Sequence, residues 1–299
     1  MTVPGPTPLS PATTAAPAPE IAEVTGIDGR RLWTARWTPA RPAPRAAVFL
    51  VHGYGEHLGR YDHIVPSFFD AGYAVHGHDH HGHGRSAGRR AACRRFDDYV
   101  DDAETLLAGV LARDPGRPVV LYGHSMGGLI ATRLALRRQA DLADLIATSA
   151  AYRVGDDTSP IAKALAPWIA RLLPDLPVVA PTPAGILSRD PAVDARVAAD
   201  PLCYHGRTRA GLAHGIFTAG QETRARAAEL TLPLLIMHGT ADRLTSPAGS
   251  EEIYSHAASS DKTLRLWPDC RHELHNDLDQ AEVIAAIIAW LDAHTSPES

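Results

Sequence analysis

The chain has 299 residues, 45% of them hydrophobic and 21% charged, with a formal net charge of -5. That is ordinary globular composition, long enough for one large core. It carries no basic run of the kind nucleic acid requires, and no uninterrupted apolar stretch near the roughly 20 residues of a membrane span.

The first 20 residues are rich in Pro and Ala and lack both a basic n-region and an apolar h-region. They read as a disordered tail rather than a signal peptide. Strands are predicted at 32–37, 46–51, 74–78, 118–122 and 144–149, with helices at 61–71, 96–114 and 127–138 between them. This alternation calls for a mostly parallel, doubly wound α/β sheet. After Ser149 the rhythm breaks, and it resumes at Leu232. Residues 154–229 are therefore expected to form a helical cap over the carboxyl edge of a core built from 21–153 and 230–299. Within the cap, Ile161, Leu165, Trp168, Ile169, Leu172 and Leu173 recur at helical spacing, with Lys163 and Arg171 off the stripe. Such a stripe either packs on the core or lines an acyl tunnel and meets lipid. Pro167 is expected to kink that helix or divide it.

The chemistry is written at strand ends. Pro118-Val119-Val120-Leu121-Tyr122 runs into Gly123-His124-Ser125-Met126-Gly127. A β-run that breaks into Gly-x-Ser-x-Gly before a helix is a nucleophile elbow, with the serine hydroxyl exposed at the sheet's carboxyl end. If Ser125 is a nucleophile, an acid and then a histidine must follow on later strand-end loops. Leu232 to His238 is an apolar run ending in Gly239-Thr240-Ala241-Asp242, and 263–267 is a strand followed by Pro268-Asp269-Cys270-Arg271-His272. Ser125, Asp242 and His272 are the expected triad: a hydroxyl needs an imidazole to take its proton, and the imidazole needs a carboxylate to fix its tautomer. Asp242 as a cap for a helix near Ser246, His275 in place of His272, and Asp269 or Asp277 as the acid are the alternatives. The oxyanion hole is expected from the N–H of Met126 and that of Tyr54, in the loop after strand 46–51.

His52-Gly53-Tyr54-Gly55-Glu56-His57, Gly59-Arg60-Tyr61, Asp79-His80-His81-Gly82-His83-Gly84-Arg85-Ser86, the elbow, His238-Gly239-Thr240-Ala241-Asp242-Arg243 and His272-Glu273-Leu274-His275 stand in one order over about residues 20–295. Together they resemble the monoacylglycerol lipase family. The resemblance implies an α/β-hydrolase fold and a cofactor-independent serine hydrolase that cleaves one acyl chain from glycerol. It also implies Ser125, Asp242 and His272 as triad, Tyr54 and Met126 as oxyanion donors, and Glu56, Arg60 and His275 near the glycerol end. Three positions depart from the family pattern: Tyr54 stands where a small residue is usual, His81 replaces an arginine, and Val197 replaces a tyrosine of the animal enzyme.

General carboxylesterase, lysophospholipase and thioesterase activity on the same residues is the alternative function, and a catalytically dead receptor is a third. His76, His78 and His80 alternate on one strand, but the same segment in the family has a structural role, so no metal is expected. Cys93, Cys203 and Cys270 are too scattered for a disulfide framework and fit a reducing cytoplasm. Cys270, close to His272, is either a reactive or a buried thiol. The implied partner is a small lipid ester, with transient peripheral membrane contact through the cap.

Overall fold

The structure, a computed structural model, describes residues 18–39, 43–155 and 159–295. Its centre is an eight-stranded sheet. In chain order the strands are β1 (Glu20–Thr25), β2 (Arg31–Trp37), β3 (Ala47–Val51), β4 (Ala74–His78), β5 (Val119–His124), β6 (Asp144–Thr148), β9 (Leu234–Gly239) and β10 (Lys262–Trp267). They lie side by side as β1-β2-β4-β3-β5-β6-β9-β10. From β4 to β10 every pairing is parallel, whereas β1 and β2 join antiparallel at one edge.

β3 is a continuous apolar run because both of its faces are covered. In β3, Ala47, Phe49 and Val51 join one core cluster while Val48 and Leu50 join the other. Residues of α2 (Asp97–Arg113) and α3 (Met126–Arg138) fill the first face, and those of α1 (Val65–Asp70) and α8 (Gln280–His294) the second. The helix α7 (Pro247–His256) connects β9 to β10 and contacts both. This is the doubly wound core expected from the alternation of strand and helix.

Two differences concern edges. Residues 1–17 of the expected tail lie outside the described residues, and the tail's bound at 20 is one residue late, because Glu20 already opens β1. That strand is nearly all exposed and half charged or polar, so it carries no apolar alternation to betray it. Between β6 and β9, residues 159–229 form the helices α4 (Pro160–Leu172), α5 (Pro191–Ala199) and α6 (Ala210–Ala225). They also hold a short antiparallel ladder of β7 (Pro177–Val179) and β8 (Thr208–Arg209), too brief to leave a period in the sequence. α4 continues past Pro167 as one helix. The proline removes one bond to the carbonyl at 163, and on a helix this exposed the solvent can hydrate that carbonyl.

The inserted segment docks on the loops beyond the parallel strands' carboxyl ends. The Tyr204 N–H donates to Gly55 O at 2.8 Å, Glu273 N–H to Leu187 O at 2.8 Å, and Arg189 Nε to Asp277 Oδ1 at 2.8 Å.

Candidate active site

Ser125 follows β5 directly, at φ 55° and ψ -121°. A non-glycine residue at positive φ stores on the order of 1–3 kcal/mol of strain, held here by close packing on both sides. The Ser125 N–H still donates to Thr148 O of β6 at 2.9 Å, so the strand pairing continues to the last residue before the turn. The turn needs glycine at 123 and 127. A Cβ on Gly123 would meet Gly127 O at 2.4 Å, and one on Gly127 would meet Val51 O at 2.1 Å.

His272 lies on the loop after β10 and Asp242 on the loop after β9. In the sheet β6 separates β5 from β9, so the three loops converge from both sides of it. His272 Nε2 is 2.8 Å from Ser125 Oγ, and His272 Nδ1 is 2.8 Å from Asp242 Oδ2. All three residues are buried. Asp242 is itself fixed. Its Oδ1 accepts the N–H groups of Leu244 and Thr245, at 2.8 and 3.1 Å, which closes the turn ahead of α7. Its Oδ2 faces His272 and also accepts the Thr245 hydroxyl at 2.8 Å, with His238 Nε2 at 3.1 Å. The N-cap position of α7 is Ser246, with no side-chain cap hydrogen bond, so Asp242 is not the cap of that helix.

The electrostatics follow from this arrangement. Burial pushes His272 down, but the Asp242 charge and hydrogen bond, with Glu273 and Glu56 behind, leave it above the ordinary histidine value. Burial pushes Asp242 up, but His272 and His238 hold it well below the carboxylate range. An anionic Asp242 beside a histidine of raised basicity is the arrangement a general base requires.

Glu56, Arg60 and His275 are brought into the same neighbourhood. Arg60 forms a two-pronged pair with Glu273, both contacts at 2.6 Å, and reaches Glu56 Oε2 at 2.9 Å. Glu56 Oε1 accepts the Gly53 N–H at 2.6 Å and the Tyr61 hydroxyl at 2.7 Å. Burial raises Glu273, but Arg60 brings it down to about 2. Burial also pushes Glu56 up, against the pull of Arg60. Two carboxylates around one guanidinium place a net negative charge behind His272, which favours an imidazolium there. His275 stacks on Tyr61 at 4.6 Å and meets the edge of His124 at 4.8 Å, with both ring nitrogens unpartnered. It has no contact with Ser125 of the kind His272 makes. Asp269 is exposed, and Asp277 is engaged with Arg189 and the Arg271 N–H.

The loop after β3 passes close to Ser125: a Cβ on Gly53 would lie 3.1 Å from Ser125 Cβ. Tyr54 comes next, so its N–H is carried by the peptide that follows Gly53. Met126 opens α3, and its N–H has no carbonyl four residues back within the helix. The Tyr54 ring fits edge-on between His83 and Tyr204, at 6.0 and 6.3 Å, and burial raises its phenol to about 12. His81 stands 2.7 Å from Asp102 Oδ2 and stacks on Tyr99 at 4.1 Å, an aromatic and hydrogen-bonded role within the core. Val197 is half-buried on α5. Cys270 is fully buried with its thiol raised to about 12, chiefly by burial, which makes it inert. His76 is not hydrogen-bonded to His78 or His80, whereas His78 Nε2 and His80 Nδ1 meet at 3.1 Å. One His–Asp–Cys group, His57, Asp200 and Cys203, converges elsewhere among the described residues, with both His57 nitrogens already hydrogen-bonded. His238, Thr245 and Glu273 were not singled out from the sequence. Their signal was position alone, each within four residues of an expected triad member.

Comparison with known proteins places the chain in a family. The family described as serine aminopeptidase, S33, matches residues 42–279. A monoacylglycerol lipase from Mycolicibacterium smegmatis is 39% identical over 270 residues, covering 90% of this chain and 95% of the relative. The chain belongs to the monoacylglycerol lipase family. The human monoglyceride lipase is 30% identical over 283 residues, covering 94% of this chain and 93% of its own. The crystal structure of a Paleococcus ferrophilus monoacylglycerol lipase superposes with a TM-score of 0.78 at 31% identity, covering 88% of this chain and 99% of that one. Fold and family together make this family member an α/β-hydrolase and a carboxylic ester hydrolase.

Proposed function

We propose that this protein hydrolyses monoacylglycerols to a fatty acid and glycerol through an acyl-enzyme on Ser125. The observation that carries the reading is the unbroken row Ser125 Oγ, His272, Asp242 Oδ2, with both links at 2.8 Å. Ser125 Oγ attacks the ester carbonyl while His272 Nε2 takes its proton, and Asp242 keeps the proton on Nδ1 and stabilises the imidazolium. The N–H groups of Tyr54 and Met126 receive the oxyanion, each worth about 3 kcal/mol in the transition state. The C–O bond to glycerol then breaks as His272 returns the proton to the departing alkoxide. Water, deprotonated by His272, releases the fatty acid and restores Ser125. No cofactor or metal enters these steps.

Glu56 and Arg60 act at the glycerol end as a charged wall, since their polar atoms already face each other, Gly53 and Glu273. His275, whose nitrogens are unpartnered, is the member of that group with capacity left for a glycerol hydroxyl. Residues 154–229 serve as the cap. The stripe on α4 does not pack down on the core: Ile161 is 74% exposed, Trp168 65% and Leu172 72%. Exposed apolar surface continues through Leu173, Leu176, Val178 and Val179. An outward apolar face of this extent suits transient contact with lipid aggregates or a membrane surface. No helix among the described residues is long and apolar enough to cross a membrane.

The test is a competition among monoolein, lysophosphatidylcholine, an acyl thioester and short nitrophenyl esters, with Ser125→Ala as control. Monoolein is expected to have the highest kcat/KM. A maximum at acetate, or preference for the phospholipid or thioester, contradicts the substrate assignment.

A further inference from the structure

Gly53 is caught in a conflict. It must be glycine, because a Cβ there would lie 2.9 Å from Glu56 Oε1 and 3.1 Å from Ser125 Cβ. Yet glycine is the residue least able to hold its own backbone dihedrals, and the peptide that follows it carries the N–H of Tyr54. In a planar trans peptide the carbonyl and the N–H point in opposite directions. Whatever holds Gly53 C=O therefore sets where the Tyr54 N–H points.

The group that holds it is His52. Its Nδ1 is 2.8 Å from Gly53 O. The His80 N–H donates to His52 Nε2 at 2.9 Å, so Nε2 is bare and the ring's proton sits on Nδ1, facing the carbonyl. The next ring is ordered in the same way. His80 Nε2 lies 2.9 Å from His52 O, which can only accept, so His80 carries its proton on Nε2 and receives one on Nδ1 from His78 Nε2 at 3.1 Å. All three rings are fully buried, and burial with the neighbouring imidazoles keeps His52 and His80 neutral. His52 thus donates to the Gly53 carbonyl with its tautomer set by the His80 main-chain N–H, the His80 ring, ordered by His78, anchors the His52 carbonyl, and Glu56 holds the Gly53 N–H from the other side.

We propose that His52 is a positioning residue: its Nδ1–H fixes the Gly53–Tyr54 peptide in the orientation that turns the Tyr54 N–H toward the oxyanion, with the main-chain N–H of His80 setting the required tautomer. This inference rests on the ester-hydrolase reading above. His80, with His78 behind it, thereby supports the His52 backbone and ring without touching substrate.

Two variants and one measurement on the unaltered protein test it. His52→Ala removes the donor. His52→Asn keeps an N–H close to the position of Nδ1. With a soluble nitrophenyl butyrate, His52→Ala is expected to lower kcat about 100-fold with KM within about threefold, and His52→Asn to recover at least about tenfold of the loss. The affinity of a trifluoromethyl ketone, whose hemiketal oxygen occupies the oxyanion site, is expected to fall in the same proportion as kcat. Equal loss in both folded variants, or unchanged ketone affinity, overturns the proposal. Should either variant fail to fold, nitrogen-15 NMR of the wild-type rings decides: His52 protonated on Nδ1 with His80 protonated on Nε2 is expected, and the reverse at His52 overturns it. An inactive wild type would instead overturn the hydrolase reading itself.

Discussion

In the proposed mechanism Ser125 draws its reactivity from its setting. Its backbone strain lifts the hydroxyl clear of the sheet, and His272 stands where the proton must go. Ser125→Ala is expected to lower kcat by on the order of 10⁴–10⁶ with an unchanged melting temperature, as measured by monoolein turnover and calorimetry. An active, folded variant removes Ser125 from the mechanism. The pH dependence has a definite sign. The base must be neutral to act, and the charge of Asp242 raises His272 above its ordinary 6.5. Protonation therefore disables the enzyme at a higher pH than an isolated histidine would, and the acid limb of kcat/KM is expected to have its midpoint above that value. Asp242→Asn is expected to move the limb down and lower turnover by on the order of 10³–10⁴. A limb that stays in place shows that Asp242 does not govern the base. The three candidates were readable from the chain, because Ser125, Asp242 and His272 each follow an apolar strand run by one to five residues, and the fold brings them together. The supports were not readable. Glu273 and His238 act through contacts with Arg60 and Asp242, and a single sequence has no period that links residues 213 positions apart.

The elements divide into those that must be tight and those that are left bare. The elbow is tight: Gly127 approaches the backbone of β3 so closely that any side chain must push the strand away. Gly127→Ala is expected to destabilise the fold by about 1–3 kcal/mol, the usual range for overpacking, and to lower activity further by displacing the oxyanion loop. Denaturant unfolding and ester turnover on one sample separate the two effects. α4 is the bare element, with its apolar face toward solvent. Trp168→Asp together with Leu172→Asp is expected to raise the apparent KM for monoolein in vesicles at least about tenfold, since two burials of about 1.5–3 kcal/mol each are lost. Hydrolysis of a soluble butyrate ester is expected to be unchanged. An equal effect on both substrates would place the stripe in the catalytic pocket or the fold instead. Helical periodicity in the sequence announced the stripe but not its direction. An apolar stripe looks the same whether it faces a core, a tunnel or lipid, and only its exposure on the folded molecule separates these.

For the molecule as a whole, the parallel sheet is what turns three distant segments into one site. Every parallel strand delivers its carboxyl end to the same edge, so an elbow after β5, an acid after β9 and a base after β10 meet without special design. The segment between β6 and β9 is held to the loops after β3 and β10 by Tyr204, Leu187 and Arg189, as the proposed cap requires. The doubly wound centre was legible because strands buried on both faces are uniformly apolar. The antiparallel edge was less so, because β1 is exposed and polar and β7 and β8 are a few residues long. Intact-mass analysis after rapid acid quench of monoolein turnover, with peptide mapping, tests the whole construction most directly. One oleoyl group per chain, attached at Ser125 and absent from Ser125→Ala, is the predicted result; monoolein consumed with no acyl adduct, or with the adduct on another residue, would contradict it.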